Sequence, residues 1–385
     1  MKKILFYACF LFCSVIHAKT QYVNSDDLSS QNFSLMAKHI FLKYTDLPAQ
    51  TDWHINLYRS YLQAIGITGE KEIEKEIQIL LSHRLSIPSK EYSSKHLLSH
   101  GMQAKYVDHM AVEYAKLKEN TYIIILFPPV STNAQKAIEI IQEFGSIVHH
   151  KTISLSRIGF RNLITMLYEI HHNTGWLIET DQPHKRFDKI QQTYDPKIIQ
   201  VILMECESWS KSIDCKRKIR AHYGSNEACH FNDKRYETIY HAQSLFHDPT
   251  VQYLNYSRQQ RIKPSNALLR EFQAYIKNAP DFYDLYSIDA GRVLDAYGIR
   301  LSSDIDIIVK SIRPNFPDIG LNNSTRTKYG FNTDELILNP DYYFYHKGMR
   351  FVSLDSVYEY KKRKATTKDM QDLELIKEFR KKRGF

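Results

Sequence analysis

The chain has 385 residues, 43% of them hydrophobic and 25% charged, with a formal net charge of +9. That length and balance suit two globular domains and exclude a disordered or fibrous protein. There is no low-complexity segment and no internal repeat, so the chain is not a repeat array.

Residues 1–18, "MKKILFYACFLFCSVIHA", open with Lys2 and Lys3, run apolar from Ile4 to Ile16 and end on Ala18. This is the layout of a secretory signal peptide, and the apolar run is too short to span a bilayer. The protein is therefore expected to be exported, to the periplasm or beyond, with no transmembrane segment in the mature chain. Removing the leader also removes Cys9 and Cys13 and leaves Cys206, Cys215 and Cys229. An odd number permits one disulfide and one free thiol. His222 and His230 lie nearby, but no CxxC pair or compact Cys/His spacing supports zinc.

Residues 19–120 are expected to form a helical N-terminal region. "EKEIEKEIQILLSHRL" puts Ile73, Ile77, Leu80 and Leu81 on one helical face, and "MQAKYVDHMAVEYAKLKE" does the same with Val107, Met110, Ala111 and Tyr114. His39, His54 and His100 are expected to be surface or capped groups rather than ligands.

Residues 121–264 read as an α/β domain. Tyr122 to Phe127 is a buried-strand run closed by Pro128 and Pro129. Ser131 is placed to cap a helix with Ala137, Ile138, Ile141 and Phe144 inside, and Gly145 to end it. "SIVHHKTISL" is the next strand, "GFRNLITMLYEIHH" a helix and "KIIQVILMEC" a buried strand, an alternation that argues for a packed α/β layer. The pairs His149–His150 and His171–His172 point apart on any regular element, so each is a poor chelate. Asn232 or Asp233 is expected to cap a helix that buries Ile239, Ala242 and Phe246. With its "LFPP" strand and "FRNLI" helix, this region resembles an uncharacterised α/β module that stands ahead of a nucleotidyltransferase-like domain in bacterial proteins.

At "RIKPSNALLREFQAYIKNAPDF", Pro264 and Ser265 start a helix with Leu268, Leu269, Phe272 and Ile276 on one face, and Pro280 ends it. A further domain, 265–385, is expected to begin here. Asp284 to Asp289 reads as a strand, Ala290-Gly291 as a tight turn and Arg292 to Tyr297 as a short helix. Ser302 and Ser303 then lead into a strand over Asp304 to Val309. Side chains two apart on a strand share a face, so Asp304 and Asp306 meet on one side and Ile305, Ile307 and Val309 on the other. Like charges so close raise each other's proton affinity unless a cation neutralises them, and a divalent metal with oxygen ligands is the usual answer. The plainer alternative is an exposed strand end whose acids pair with Arg300 and Lys310.

This turn-helix-strand segment resembles the nucleotidyltransferase fold of the DNA polymerase β superfamily, marked by a Gly-Ser turn opening a helix and Asp-x-Asp on the next strand. The tail "YYFYHKGMRFVSLDSVYEYKKRKATTKDMQDLELIKEF" adds to the likeness: a strand over Gly348 to Ser353, a helix bearing Lys361 and Arg363, then Lys368-Asp369 and Asp372. The resemblance implies Mg²⁺ or Mn²⁺ on Asp304 and Asp306, which would be the catalytic pair. It also implies an NTP held by Ala290, Gly291, Arg292, Arg300 and Ser303. Two departures stand. Ala290-Gly291 replaces Gly-Ser, and the third carboxylate has no clear counterpart, with Asp334, Glu335 and Asp341 all open.

The last 25 residues carry ten basic and four acidic side chains. They suit either a phosphate-binding surface or a solvated helix whose basic end matches its dipole. Nucleic acid is thus a conceivable partner without a supporting motif, despite 26 tyrosines. No nucleophile elbow, Walker A loop, His-Glu-x-x-His helix or dinucleotide-binding glycine motif occurs. The expected architecture is α/β (α+β) overall, with a helical N-terminal segment, a middle layered domain and a mixed C-terminal sheet with helices. The expected function is nucleotidyl transfer from an NTP to an unknown acceptor. The alternative is a catalytically inactive secreted module using the same fold to recognise a glycan or another partner.

Overall fold

The computed structural model describes residues 40–41, 52–82, 94–169, 190, 193–194, 197–258, 266–277, 285–309, 319–321, 329–330 and 332–384. The expected leader, His39, the His171–His172 pair, Asp284, Lys310 and the punctuating Pro264, Ser265 and Pro280 lie outside them.

Four helices come first in the described chain: α1 (Asp52–Ala64), α2 (Glu70–Leu81), α3 (Ser94–Ser99) and α4 (Ala104–Leu117). Their 3.6-residue periodicity decides what they bury. In α2 Ile73, Ile77 and Leu80 are buried while Leu81, one step round the helix, is exposed. In α4 Val107, Met110, Ala111 and Tyr114 are all inside.

β1 (Thr121–Leu126) comes next, buried along its whole length. Ile123 and Ile125 face a core shared with α1, α2 and α4, whereas Tyr122, Ile124 and Leu126 face a second core. A strand covered on both sides loses its polar alternation, which is why it reads as a continuous apolar run. The chain then makes a short 3-10 turn (Val130–Asn133), α5 (Gln135–Phe144), β2 (Gly145–Leu155), α6 (Arg157–Glu169) and β3 (Lys197–Cys206). Next come α7 (Trp209–Tyr223), β4 (Cys229–Phe231), α8 (Arg235–Leu245) and α9 (Asp248–Tyr256).

The sheet runs β2-β3-β1-β4 with every neighbouring pair antiparallel. The alternation of helices and strands therefore builds helix and sheet layers without parallel crossovers. Gly145 joins α5 to β2 in extended backbone. A Cβ there would lie 2.2 Å from the Glu205 carbonyl oxygen, so the glycine serves close strand approach.

Two expected caps have other partners. Ser131 sits in the 3-10 turn and its hydroxyl donates to the Ile198 carbonyl, while α5 starts after Ala134. Asn232 accepts from the Ile123 amide at 2.6 Å and donates to Thr238 Oγ1 at 2.7 Å, stapling β1 to α8. Glu237 instead accepts from the amides of Asp233 and Lys234 at the start of α8, whose Ala242 and Phe246 side is buried and whose Ile239 is half-buried.

The charges buried in this part of the molecule are matched. Asp108 on α4 lies 2.7 Å from His149 Nε2 and 2.7 Å from Lys151 Nζ. His150, on the opposite face of β2, meets Gln200. Glu205 accepts from Tyr114 at 2.6 Å beside Lys118. Cys206, Cys215 and Cys229 are free, buried thiols. Burial pushes Cys215 up to about 12 and Cys229 up to about 11, so neither is a ready thiolate.

The C-terminal part has its own core, from Tyr253 to Phe379. Its elements are α10 (Asn266–Lys277), β5 (Tyr286–Asp289), α11 (Gly291–Ala296), β6 (Ile305–Val309), β7 (Ile319–Leu321) and α12 (Thr333–Leu338). After them come β8 (Tyr343–His346), β9 (Met349–Val352), α13 (Leu354–Lys364) and α14 (Thr367–Arg383). The sheet order is β7-β6-β5-β9-β8; β5–β6 and β8–β9 are antiparallel, β5–β9 and β6–β7 parallel. Lys347 and Gly348, both at positive φ, make the two-residue hairpin turn between β8 and β9. This mixed sheet with helices matches the α/β character expected of the chain.

α9 joins the two parts. Thr250 Oγ1 accepts from the Tyr345 amide of β8, Tyr253 donates to the Ala296 carbonyl, and His247 Nε2 lies 2.9 Å from the Pro340 carbonyl. The His247 ring stacks on Tyr343, so the Tyr343–Tyr345 alternation packs a seam. Among the described residues no helix is long and apolar enough to cross a membrane.

Candidate functional site

The C-terminal sheet exposes its chemistry where β6 begins. Ile305, Ile307, Ile308 and Val309 are buried, which makes β6 a central strand; each such isoleucine contributes roughly 1.5–3 kcal/mol. Asp304, one residue before the strand, is exposed and Asp306 is half-buried. The apolar residues hold the strand in place and leave the two acids at its open end.

Asp306 has a proton affinity raised above the ordinary carboxylate range, first by its burial and then by the charge of Asp304. Lys364, Lys368 and Lys361 pull in the opposite direction without cancelling the effect. The residue opposite Asp306 in the strand register is Asp289, fully buried at the end of β5. The site therefore gathers negative charge, with lysines of α13 and α14 nearby.

The other expected residues lie around this end of the sheet. Ala290 has φ 49° and ψ −117° and begins the turn into α11. At Gly291 an added Cβ would fall 2.8 Å from Ser302 Oγ and about 3.4 Å from the Arg300 guanidinium, so glycine permits a close approach. Ser302 donates to Asp304 Oδ1 at 2.8 Å, while Ser303 is exposed beside it. Arg292 turns inward, 2% exposed, donating to the Asp304 carbonyl at 3.1 Å and to Asp295 at 2.8 Å. Arg300 donates through Nε and Nη2 to the two oxygens of Asp372.

That last pair opens a network read only in part from sequence. Lys361 Nζ lies 2.7 Å from Asp372 and 3.1 Å from Asp369, which also accepts from Thr366 at the start of α14. Burial alone would raise both carboxyls. Hydrogen bonds from Arg300 and Lys361 outweigh it at Asp372, and those from Thr366 and Lys361 outweigh it at Asp369, so both stay below the usual range. The Lys-Asp-x-x-Asp spacing was the signal for the carboxylates; their distant partner Arg300 had none. Asp289 and Tyr329, which donates to it, carried no motif.

Of the three candidate third carboxylates, Asp341 pairs with Lys105 of α4 at 2.9 Å, and Glu335 accepts from Asn339 at 2.7 Å. Asp334 lies in the first turn of α12. Among the described residues, no three His, Cys, Asp or Glu side chains converge as a metal site. The donor set at β6 is therefore two carboxylates, one exposed and one half-buried and crowded by like charge. That chemistry suits a hard divalent cation that completes its shell with water or phosphate oxygens. No protein-family model, curated protein or solved structure matches the chain.

Proposed function

We propose that residues 265–385 form a nucleotidyltransferase-like domain that moves a nucleotidyl group from an NTP to an acceptor and releases pyrophosphate. One observation carries the reading: Asp304 and Asp306 stand together at the open end of a buried strand, with Asp306 held above the ordinary carboxylate range by burial and by Asp304. Asp304 and Asp306 would hold Mg²⁺ or Mn²⁺, which would supply charge neutralisation at the polyphosphate and polarisation of the attacking hydroxyl. Ser302 orients Asp304, the Ala290-Gly291 turn and Ser303 border the pair, and Arg300 stands beside Gly291. Lys364 and Lys368 add positive charge within electrostatic reach of Asp306, while Lys361 is buried between Asp369 and Asp372.

A second reading, a catalytically silent exported module that recognises a glycan or other partner, has its own support. Arg292 and Arg300 are already engaged by Asp295 and Asp372, so neither guanidinium reaches a ligand without giving up an ion pair. The export expected from residues 1–18 also favours it, because extracytoplasmic space holds little NTP.

Thermal denaturation of the full chain with Mg²⁺ or Mn²⁺ and each NTP in turn separates the readings. Binding at a hundredfold excess over Kd stabilises by about 2.7 kcal/mol. That gain is expected in the wild type and should vanish in Asp304→Ala/Asp306→Ala. No gain with any pairing of metal and NTP overturns the nucleotide reading. That outcome selects the silent module.

A further inference from the structure

We propose that Asp289 and Tyr329 are positioning residues for the carboxylate pair, acting through the backbone turn at Ala290. The nucleotide-site reading enters only in what the positioned groups bind.

Asp289 is fully buried, and a carboxylate so placed needs donors. Its Oδ1 receives two, the Ala290 amide and the Tyr329 hydroxyl. Tyr329 is fully buried as well, its ring stacked on Tyr360 with centroids 4.4 Å apart and planes at 15°. Packing therefore fixes where that hydroxyl points.

The residue between these groups and the site is strained. Ala290, at φ 49° and ψ −117°, adopts backbone that a side chain with a Cβ avoids, and such a conformation persists only where its surroundings over-determine it. The Asp289 acceptor, itself held by Tyr329, supplies that constraint.

The groups beyond the turn depend on its shape. Gly291 comes so close to Ser302 that a Cβ would meet its Oγ at 2.8 Å, and that same Oγ donates to Asp304 Oδ1 at 2.8 Å. Arg292, two residues past Ala290, donates to the Asp304 carbonyl. A continuous path therefore runs from the Tyr329 hydroxyl through Asp289, the turn and Ser302 to the outer carboxylate. Asp306 itself stands opposite Asp289 in the strand register, so the backbone that carries the inner carboxylate is laddered to the residue that opens the turn.

The test compares full-length wild type, Tyr329→Phe, Ala290→Gly and the double variant by two measurements. One is amide hydrogen exchange in a peptide covering 286–297; the other is Mn²⁺ titration with and without ATP. Tyr329→Phe keeps the ring stack and removes only the donor. It is expected to speed exchange at Ala290 and weaken Mn²⁺ binding about fivefold, the size of one net hydrogen bond. Adding Ala290→Gly should restore slow exchange and most of the affinity, because glycine takes positive φ without help.

Wild-type exchange and affinity in Tyr329→Phe overturn the proposal. So does a loss that the glycine leaves unrepaired while the thermal midpoint falls in step, since that is general destabilisation. Should the wild type bind neither Mn²⁺ nor ATP, the nucleotide reading falls, and the exchange measurement alone decides the positioning role.

Discussion

The buried acids around the first sheet and Asp306 of the second are treated in opposite ways. Around the first, Asp108 and Glu205 are buried and each faces a cation or hydroxyl donor at short range. In the second, Asp306 is half-buried opposite Asp289 and next to Asp304, and its strongest charged neighbour repels it. Lys364, Lys368 and Lys361 offset only part of that repulsion, so the fold holds the Asp306 charge at a cost that Asp108 and Glu205 do not bear.

That contrast makes opposite-sign predictions. Removing a compensated acid should cost most: Asp108→Ala leaves His149 Nε2 without its partner and takes one of two carboxylates from Lys151, which keeps Asp248, and is expected to lower stability by about 1–3 kcal/mol in urea denaturation. Removing the crowded acids should do the reverse. Metal-free Asp306→Asn is expected to be as stable as the wild type or more stable by up to about 1 kcal/mol, since a partly buried charge repelled by Asp304 is removed. A loss comparable to that of Asp108→Ala would erase the distinction between the two sheets.

The remaining effect is one of pH and concerns the seam. Burial holds His247 at the seam, and His109 on α4 against the Trp53 ring, down at about 3, well under the ordinary histidine value, so both stay neutral in the fold. An unfolded chain takes up protons at these positions first as pH falls. Their contribution is thus complete above about pH 6.5 and shrinks progressively toward pH 3. His247→Gln should flatten that decline in a pH series of melting temperatures; an unchanged slope would mean that the seam histidine does not govern it.

Much of this arrangement was legible where local pattern and final environment agree. The run Tyr122–Phe127 announced a strand because both its faces are covered, and Ile73, Ile77 and Leu80 announced a helix because one face is. Around the site, the turn at Ala290, the short helix and the acid-bearing strand came out within one or two residues, because each is a local device. Long-range partners were not legible. Ser131 and Asn232 look like caps to a local rule, yet their bonds go to Ile198 and Ile123. Arg300 reads as a phosphate ligand until Asp372, far along the chain, is found holding it. Nothing in Asp289 or Tyr329 alone suggests the other, since their meeting depends on how the second core closes.

The clasp of α9 on β8 bears on how the molecule can be divided. β8 is a border strand of the second sheet, and Thr250 occupies the Tyr345 amide that would otherwise be open for pairing. A fragment cut at the natural-looking break near residue 265 discards that cover together with Tyr253 and His247. An uncovered margin of that kind is a template for pairing with another copy, so dissection of this protein should begin upstream of His247.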